Sequence, residues 1–141
     1  MKEYTGDKIR NVAIVGHGGA GTTSLTEALL YRSGAISRMC KVEDGQTTTD
    51  FEPEEIKRGV SVSATLAPVE WRDVKINFID TPGFADFVAE VKGAFRAVDS
   101  VLIVVSATSG VQIGTEQCWK LAEEAGLPRL IFVNKMDRTG A

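Results

Sequence analysis

The chain has 141 residues, 43% of them hydrophobic, and its sixteen basic and nineteen acidic side chains give a net charge of −3. That length and apolar content suit one ordinary domain built on one core. With no Lys/Arg block, the charge balance excludes the electrostatic footprint of direct nucleic-acid binding. No apolar run approaches the roughly 20 residues that span a bilayer, so no membrane partner is expected.

The first eleven residues, MKEYTGDKIRN, are polar and mixed in charge. They lack the apolar centre of a secretory signal, which predicts a cytoplasmic chain. Cys40 and Cys118 lie in unlike contexts and are read as reduced thiols rather than a disulfide framework. Three short, wholly apolar runs follow along the chain: Val12 to Val15, Val101 to Val105 and Leu130 to Val133. Each has the signature of a parallel strand covered on both faces.

Between these runs the period becomes helical. Leu25, Ala28 and Leu29 follow Gly21 at helical spacing, with Gly34 placed as a stop. Phe84, Phe87, Val88, Val91, Ala94, Phe95 and Val98 make a second stripe, and Cys118, Leu121, Ala122 and Ala125 a third, closed by Gly126 with Pro128 beyond. Two segments break the rhythm. Val60, Val62, Ala64 and Leu66 alternate with Ser and Thr, and Ile76 and Phe78 with Lys75 and Asn77, predicting an antiparallel hairpin at one edge joined through WRD at residues 71–73. Ahead of it, the polar stretch from Ser37 to Gly59 has no sustained period, and a connection of that length is either disordered or functional. The pattern as a whole predicts an α/β fold: a doubly wound, mostly parallel sheet with one antiparallel edge strand.

Three motifs end predicted strands. GHGGAGTT, residues 16–23, links a strand to a helix and satisfies the phosphate-loop pattern G-x-x-x-x-G-K-[ST] except that Thr22 stands at the lysine. Gly16, His17, Gly18, Gly19, Ala20, Gly21, Thr22, Thr23 and Ser24 therefore form the candidate phosphate cradle, with backbone N–H groups converging at a helix N-terminus and the Thr23 hydroxyl available to Mg²⁺. The second motif is DTPG, Asp80, Thr81, Pro82 and Gly83, at the C-terminal end of the predicted Ile76–Ile79 strand. Open α/β sheets bind ligands at such ends, and here Asp80 can hold Mg²⁺ through water while Gly83 N–H approaches a terminal phosphate.

The third motif is NKMD, in which Asn134, Lys135 and Asp137 directly follow an apolar strand. The Asp137 carboxylate can accept from both the ring N–H and the amino group of guanine, a donor pair that adenine lacks. Facing adenine unpaired would cost it about 1–3 kcal/mol, tenfold or more in affinity. The order phosphate loop, D-x-x-G, N-K-x-D is far more specific than any member alone, and it turns the long polar segment into a candidate switch, with Ser61 as a second Mg²⁺ hydroxyl. His17, the sole histidine, reads as a loop spacer.

On these residues the chain resembles translational GTPases, most of all elongation factor G and its paralogues. The match lies in GHGGAGTTSLTEALLYRSG (16–34), DFEPEEIKRGVSVSAT (50–65), DTPGFADFVAEV (80–91) and NKMDRTGA (134–141). The resemblance implies a P-loop G-domain that binds GTP or GDP with Mg²⁺ and acts on the ribosome. It also implies that residues 1–141 are a partial GTPase domain, truncated at the C-terminus, and that Leu130–Val133 has an unpaired edge. Two departures bear on activity. Thr22 removes a charged contact of about 1.5–3 kcal/mol, or roughly ten- to 150-fold in GTP affinity. Phe84 occupies the position where these factors usually carry the histidine that orients the attacking water, and phenylalanine cannot do that. The alternative is an interaction module that has dispensed with nucleotide, and Thr22 is the feature in its favour.

Overall fold

A computed structural model describes residues 2–40, 47–48, 63–83 and 88–141. A single 3₁₀ turn at Gly6–Lys8 leads into strand β1 (Ile9–Gly16), followed by helix α1 (Thr22–Arg32), strands β2 (Thr65–Trp71) and β3 (Val74–Asp80), helix α2 (Val88–Phe95), strand β4 (Ser100–Ser106), helix α3 (Ile113–Glu124) and strand β5 (Arg129–Asn134). The sheet order is β2-β3-β1-β4-β5. Among the described strands only the β2–β3 pair is antiparallel, and β1, at the centre, runs parallel to both β3 and β4. The expected architecture, including the antiparallel edge strand, is therefore present.

Alternation along β1 and β4 explains why these strands read as unbroken apolar runs. Ala13, Val15, Val101 and Ile103 point to a core completed by Val91, Ala94 and Phe95 of α2, by Val98, and by Cys118 and Ala122 of α3. Ile14 and Val104 point the other way, into a core with Ala20, Leu30, Ala67, Val69 and Phe78. Both faces of the central strands are thus covered, and α1 and α3 stop where Gly34 and Gly126 place them, each with the paired backbone bonds of a Schellman motif (Ala35 N–H to Leu30 O and Leu127 N–H to Ala122 O).

Two expectations about strands are corrected. The hairpin is real, and its turn is a two-residue link in which Arg72 and Asp73 both have positive φ (48° and 64°), as a type I′ turn requires. The alternating apolar series does not mark its buried face, however: Leu66, the last of that series, is 60% exposed, whereas Ala67 and Val69 are buried. The strand begins at Thr65, so Ala64 lies before it, and Val60 and Val62 lie outside the described residues. A shift of phase by one residue reverses every side chain. The second correction concerns β5. It is parallel, as expected, but not covered on both faces: Leu130, Ile131, Phe132 and Val133 are 68%, 54%, 40% and 48% exposed. As the last strand in the order it has a single neighbour, β4, among the described residues. No helix among the described residues is long and apolar enough to cross a membrane.

Candidate functional site

The register brings the three motifs to one rim of the sheet. Ile14 of β1 sits beside Asp80 of β3, Gly16 beside Val104 of β4, and Ser106 beside Asn134 of β5. Because β1, β3, β4 and β5 run parallel, their C-terminal ends share this rim, and the glycine-rich loop, DTPG and NKMD all leave from it.

The loop after β1 turns into α1 through Gly21, whose φ of +95° is left-handed and which sits at the N-cap without a side-chain cap. A Cβ there would lie 2.4 Å from Asn134 Nδ2, so only glycine admits the approach of the NKMD strand end. That approach is a bonded one. Asn134 Nδ2 donates to Ala20 O at 2.9 Å, and Lys135 Nζ donates to Gly19 O at 2.7 Å, from a residue whose own φ is +60°. Two carbonyls of the glycine-rich loop are thereby engaged from the NKMD segment. The Ala20 N–H is used within the loop, donating to His17 O at 3.0 Å, and the positive end of α1 remains for an anion.

DTPG meets the same loop from β3. Thr81 donates twice to Ile14 O, from its N–H at 3.1 Å and its hydroxyl at 2.9 Å, which fixes the end of β3 against β1. A Cβ on Gly83 would fall 3.0 Å from His17 O and 3.1 Å from the Gly18 N and Cα atoms. The turn therefore lies against the loop at His17 and Gly18. Asp80 is only 2% exposed at this junction.

The remaining expected residues distribute as follows. Thr22 and Thr23 open α1 and are 8% and 7% exposed, whereas the Ser24 side chain faces solvent. Pro82 is buried and Thr81 is only 1% exposed. His17 Nδ1 donates to Gly18 O at 2.9 Å, and its Nε2 is buried with no hydrogen-bond partner among the described residues. Asp137 is exposed, beside a turn in which Arg138 N–H donates to Lys135 O at 3.1 Å. Ser61 and Phe84 lie outside the described residues, as do residues 52–58 of the expected switch.

Three residues had no motif to announce them. Glu27, on α1, is fully buried, and its carboxylate accepts from Thr48 N–H at 3.0 Å and Thr48 Oγ1 at 3.2 Å, with Cys40 N–H at 3.5 Å. It ties the phosphate-loop helix to the polar segment. Cys118 of α3 sits behind Gly16, where burial pushes its thiol up to about 11, partly offset by a backbone hydrogen bond at Gly16. Gly114, also on α3, meets the loop at His17.

Comparison with known proteins places this geometry among translation factors. Residues 7–141 match the family profile described as elongation factor Tu GTP binding domain. The chain is 45% identical over 133 residues to elongation factor G 2 of Borreliella burgdorferi, covering 94% of this chain and 20% of that protein. It is 44% identical over 137 residues to the mitochondrial ribosome-releasing factor 2 of Yarrowia lipolytica, covering 97% of this chain and 17% of the relative. Among solved structures, a Thermus thermophilus protein superposes with a TM-score of 0.92 at 48% identity, over 96% of this chain and 21% of that one. A bacterial selenocysteine-specific elongation factor gives a TM-score of 0.74 at 25% identity, over 92% and 20%. The chain thus spans about a fifth of the length of the relatives it matches.

Proposed function

The chain belongs to the elongation factor Tu GTP-binding domain family, and from that premise we propose that it binds GTP and GDP at the rim described above, with Mg²⁺, and hydrolyses GTP slowly. The observation that carries the reading is the pair of bonds from Asn134 and Lys135 to Ala20 O and Gly19 O, which join a guanine-selecting motif to a phosphate-binding loop in one site. A loop that merely turned a strand into a helix would have no use for that coupling.

In this reading the backbone of residues 16–24 holds the phosphates, Gly83 N–H meets the terminal one, and Asp137 selects guanine. The Mg²⁺ donors are hard oxygens, the hydroxyls of Thr23 and Ser61 and the Asp80 carboxylate, a set that suits an ion that keeps several of its waters. Mg²⁺ would supply charge neutralisation at the phosphates. Hydrolysis is slow because Thr22 brings no charge to the β- and γ-phosphates and Phe84 cannot orient water. The ribosome is the partner, in the cytoplasm, and the movement of tRNA and mRNA belongs to the whole protein rather than to this domain alone.

The test is single-turnover GTP hydrolysis beside an intact family member, together with titration by a fluorescent GTP analogue. Binding with hydrolysis well below the relative's rate is expected, and an equal rate would refute the impaired-hydrolysis part. No binding to this chain or to its Thr22→Lys variant would replace the reading with a nucleotide-independent interaction module.

A further inference from the structure

The geometry points to Gly114, in the first turn of α3, as a positioning residue for the phosphate loop, one that fixes where the His17–Gly18 backbone lies. The inference deepens the nucleotide-binding reading above and rests on it. A Cβ built on Gly114 would lie 3.1 Å from His17 Cα and 3.2 Å from His17 Cβ, closer than such atoms ordinarily sit. Gly83, from a different element, meets the neighbouring atoms of His17 and Gly18 at 3.0–3.1 Å in the same construction. Two helix or turn backbones without side chains therefore bound one short stretch of the loop.

Local conformation does not account for the glycine. Gly114 is helical, without the left-handed φ that Gly19 and Gly21 adopt, and glycine is among the poorest residues for a helix interior. Close approach is what remains. Nor can α3 easily withdraw. Its start is held by a capping box between Gln112 and Thr115, with Thr115 6% exposed, and its inner face is held by buried Cys118 and Ala122. When a side chain is added at 114, the loop is the party that moves. Displacement by a few tenths of an ångström shifts N–H groups that must converge on phosphate oxygens, whereas NKMD, at the end of β5, is bonded further along the loop, at Gly19 and Ala20 rather than at His17 and Gly18.

The experiment compares Gly114→Ala and Gly114→Val with Gly93→Ala, a control in α2 whose Cβ would meet nothing within 4 Å. Three quantities are read on the full chain: the melting temperature, backbone amide NMR shifts without nucleotide, and affinities for GDP and for guanosine. Gly114→Ala should melt no lower than the parent, move the amide signals of His17 to Gly21, and weaken GDP by about three- to tenfold, the size of one hydrogen bond to phosphate lost. Gly114→Val should weaken GDP further, and guanosine affinity should hold in both variants. Unmoved loop amides with parental GDP affinity in Gly114→Ala would overturn the inference, and so would equal losses for GDP and guanosine. If the parent chain fails to bind GDP, the nucleotide-binding reading falls, and the amide shifts still decide whether Gly114 positions the loop.

Discussion

Replacing Thr22 by lysine should pull stability and affinity in opposite directions. Thr22 is 8% exposed at the first position of α1, directly behind a loop whose Gly19 and Ala20 carbonyls already accept from Lys135 and Asn134. A new ammonium there finds both of these carbonyls engaged, and it faces the positive end of α1 with the Lys135 ammonium on the same loop. Without nucleotide this should cost about 0.3–1 kcal/mol, the usual size of an adverse charge at a helix end. With GTP the ammonium gains a charged hydrogen bond to phosphate, about 1.5–3 kcal/mol, or roughly ten- to 150-fold in Kd. A fluorescent GTP analogue titrated into both proteins at two salt concentrations, with melting curves recorded without ligand, separates the terms. The gain in affinity should shrink as salt screens it. Unchanged affinity in a variant that still folds would show that position 22 does not face the phosphates, and the cradle assignment would fail with it.

Gly21→Ala should be more damaging than Gly19→Ala, although both glycines have positive φ (95° and 81°). Each pays about 1–3 kcal/mol of backbone strain, but only at Gly21 does the Cβ collide with Asn134 Nδ2, which adds about 0.5–1.5 kcal/mol for the lost Asn134–Ala20 bond; equal melting temperatures for the two variants would contradict the brace. Asp137→Ala should collapse the preference for GTP over ATP by about tenfold or more in competition titrations, and a preserved preference would move base selection elsewhere. Hydrogen bonds from Lys2 and Lys8 hold the Asp73 carboxyl at about 2, below its ordinary value of 3.8. A lowered folded value means that the contribution is complete above the ordinary carboxylate range and is lost as pH falls towards 2. The side-chain CεH2 NMR signal of Lys2 should therefore shift between about pH 4 and pH 2 in the parent and much less in Asp73→Asn, which keeps a residue tolerant of the turn's positive φ.

The meeting of the three motifs at one rim was more legible than parts of the fold that carries them. Asp80, Gly83, Asn134 and Lys135 stand at strand ends, and the apolar runs of β1 and β4 place those ends without ambiguity. β2 misled because its period of two fits either phase. The Ser/Thr alternation before Thr65 suggested one phase, while packing against Phe78 and Leu30 imposes the other. β5 misled for a different reason: composition tells that a strand is apolar but not whether anything lies over it. Glu27 and Gly114 were illegible because their roles exist only after folding, one as a carboxylate reaching Thr48 across the chain and the other as a missing side chain against His17.

The loop at residues 16–21 is held through its own main-chain groups. Gly19 and Gly21 provide its left-handed turns, Asn134 and Lys135 bind its carbonyls, and Gly83 and Gly114 allow two other elements to lie against it. None of these contacts passes through the side chain at position 22. Threonine there can remove a point charge without disturbing the cradle, so the loss should appear in affinity and rate while the proposed specificity for guanine, carried by Asp137 beyond the end of β5, is untouched. The same arrangement makes the two ends of the proposed nucleotide site interdependent. Anything that draws Asn134 or Lys135 away from the loop releases the Ala20 and Gly19 carbonyls, and a substitution in NKMD should then alter phosphate binding without touching a phosphate.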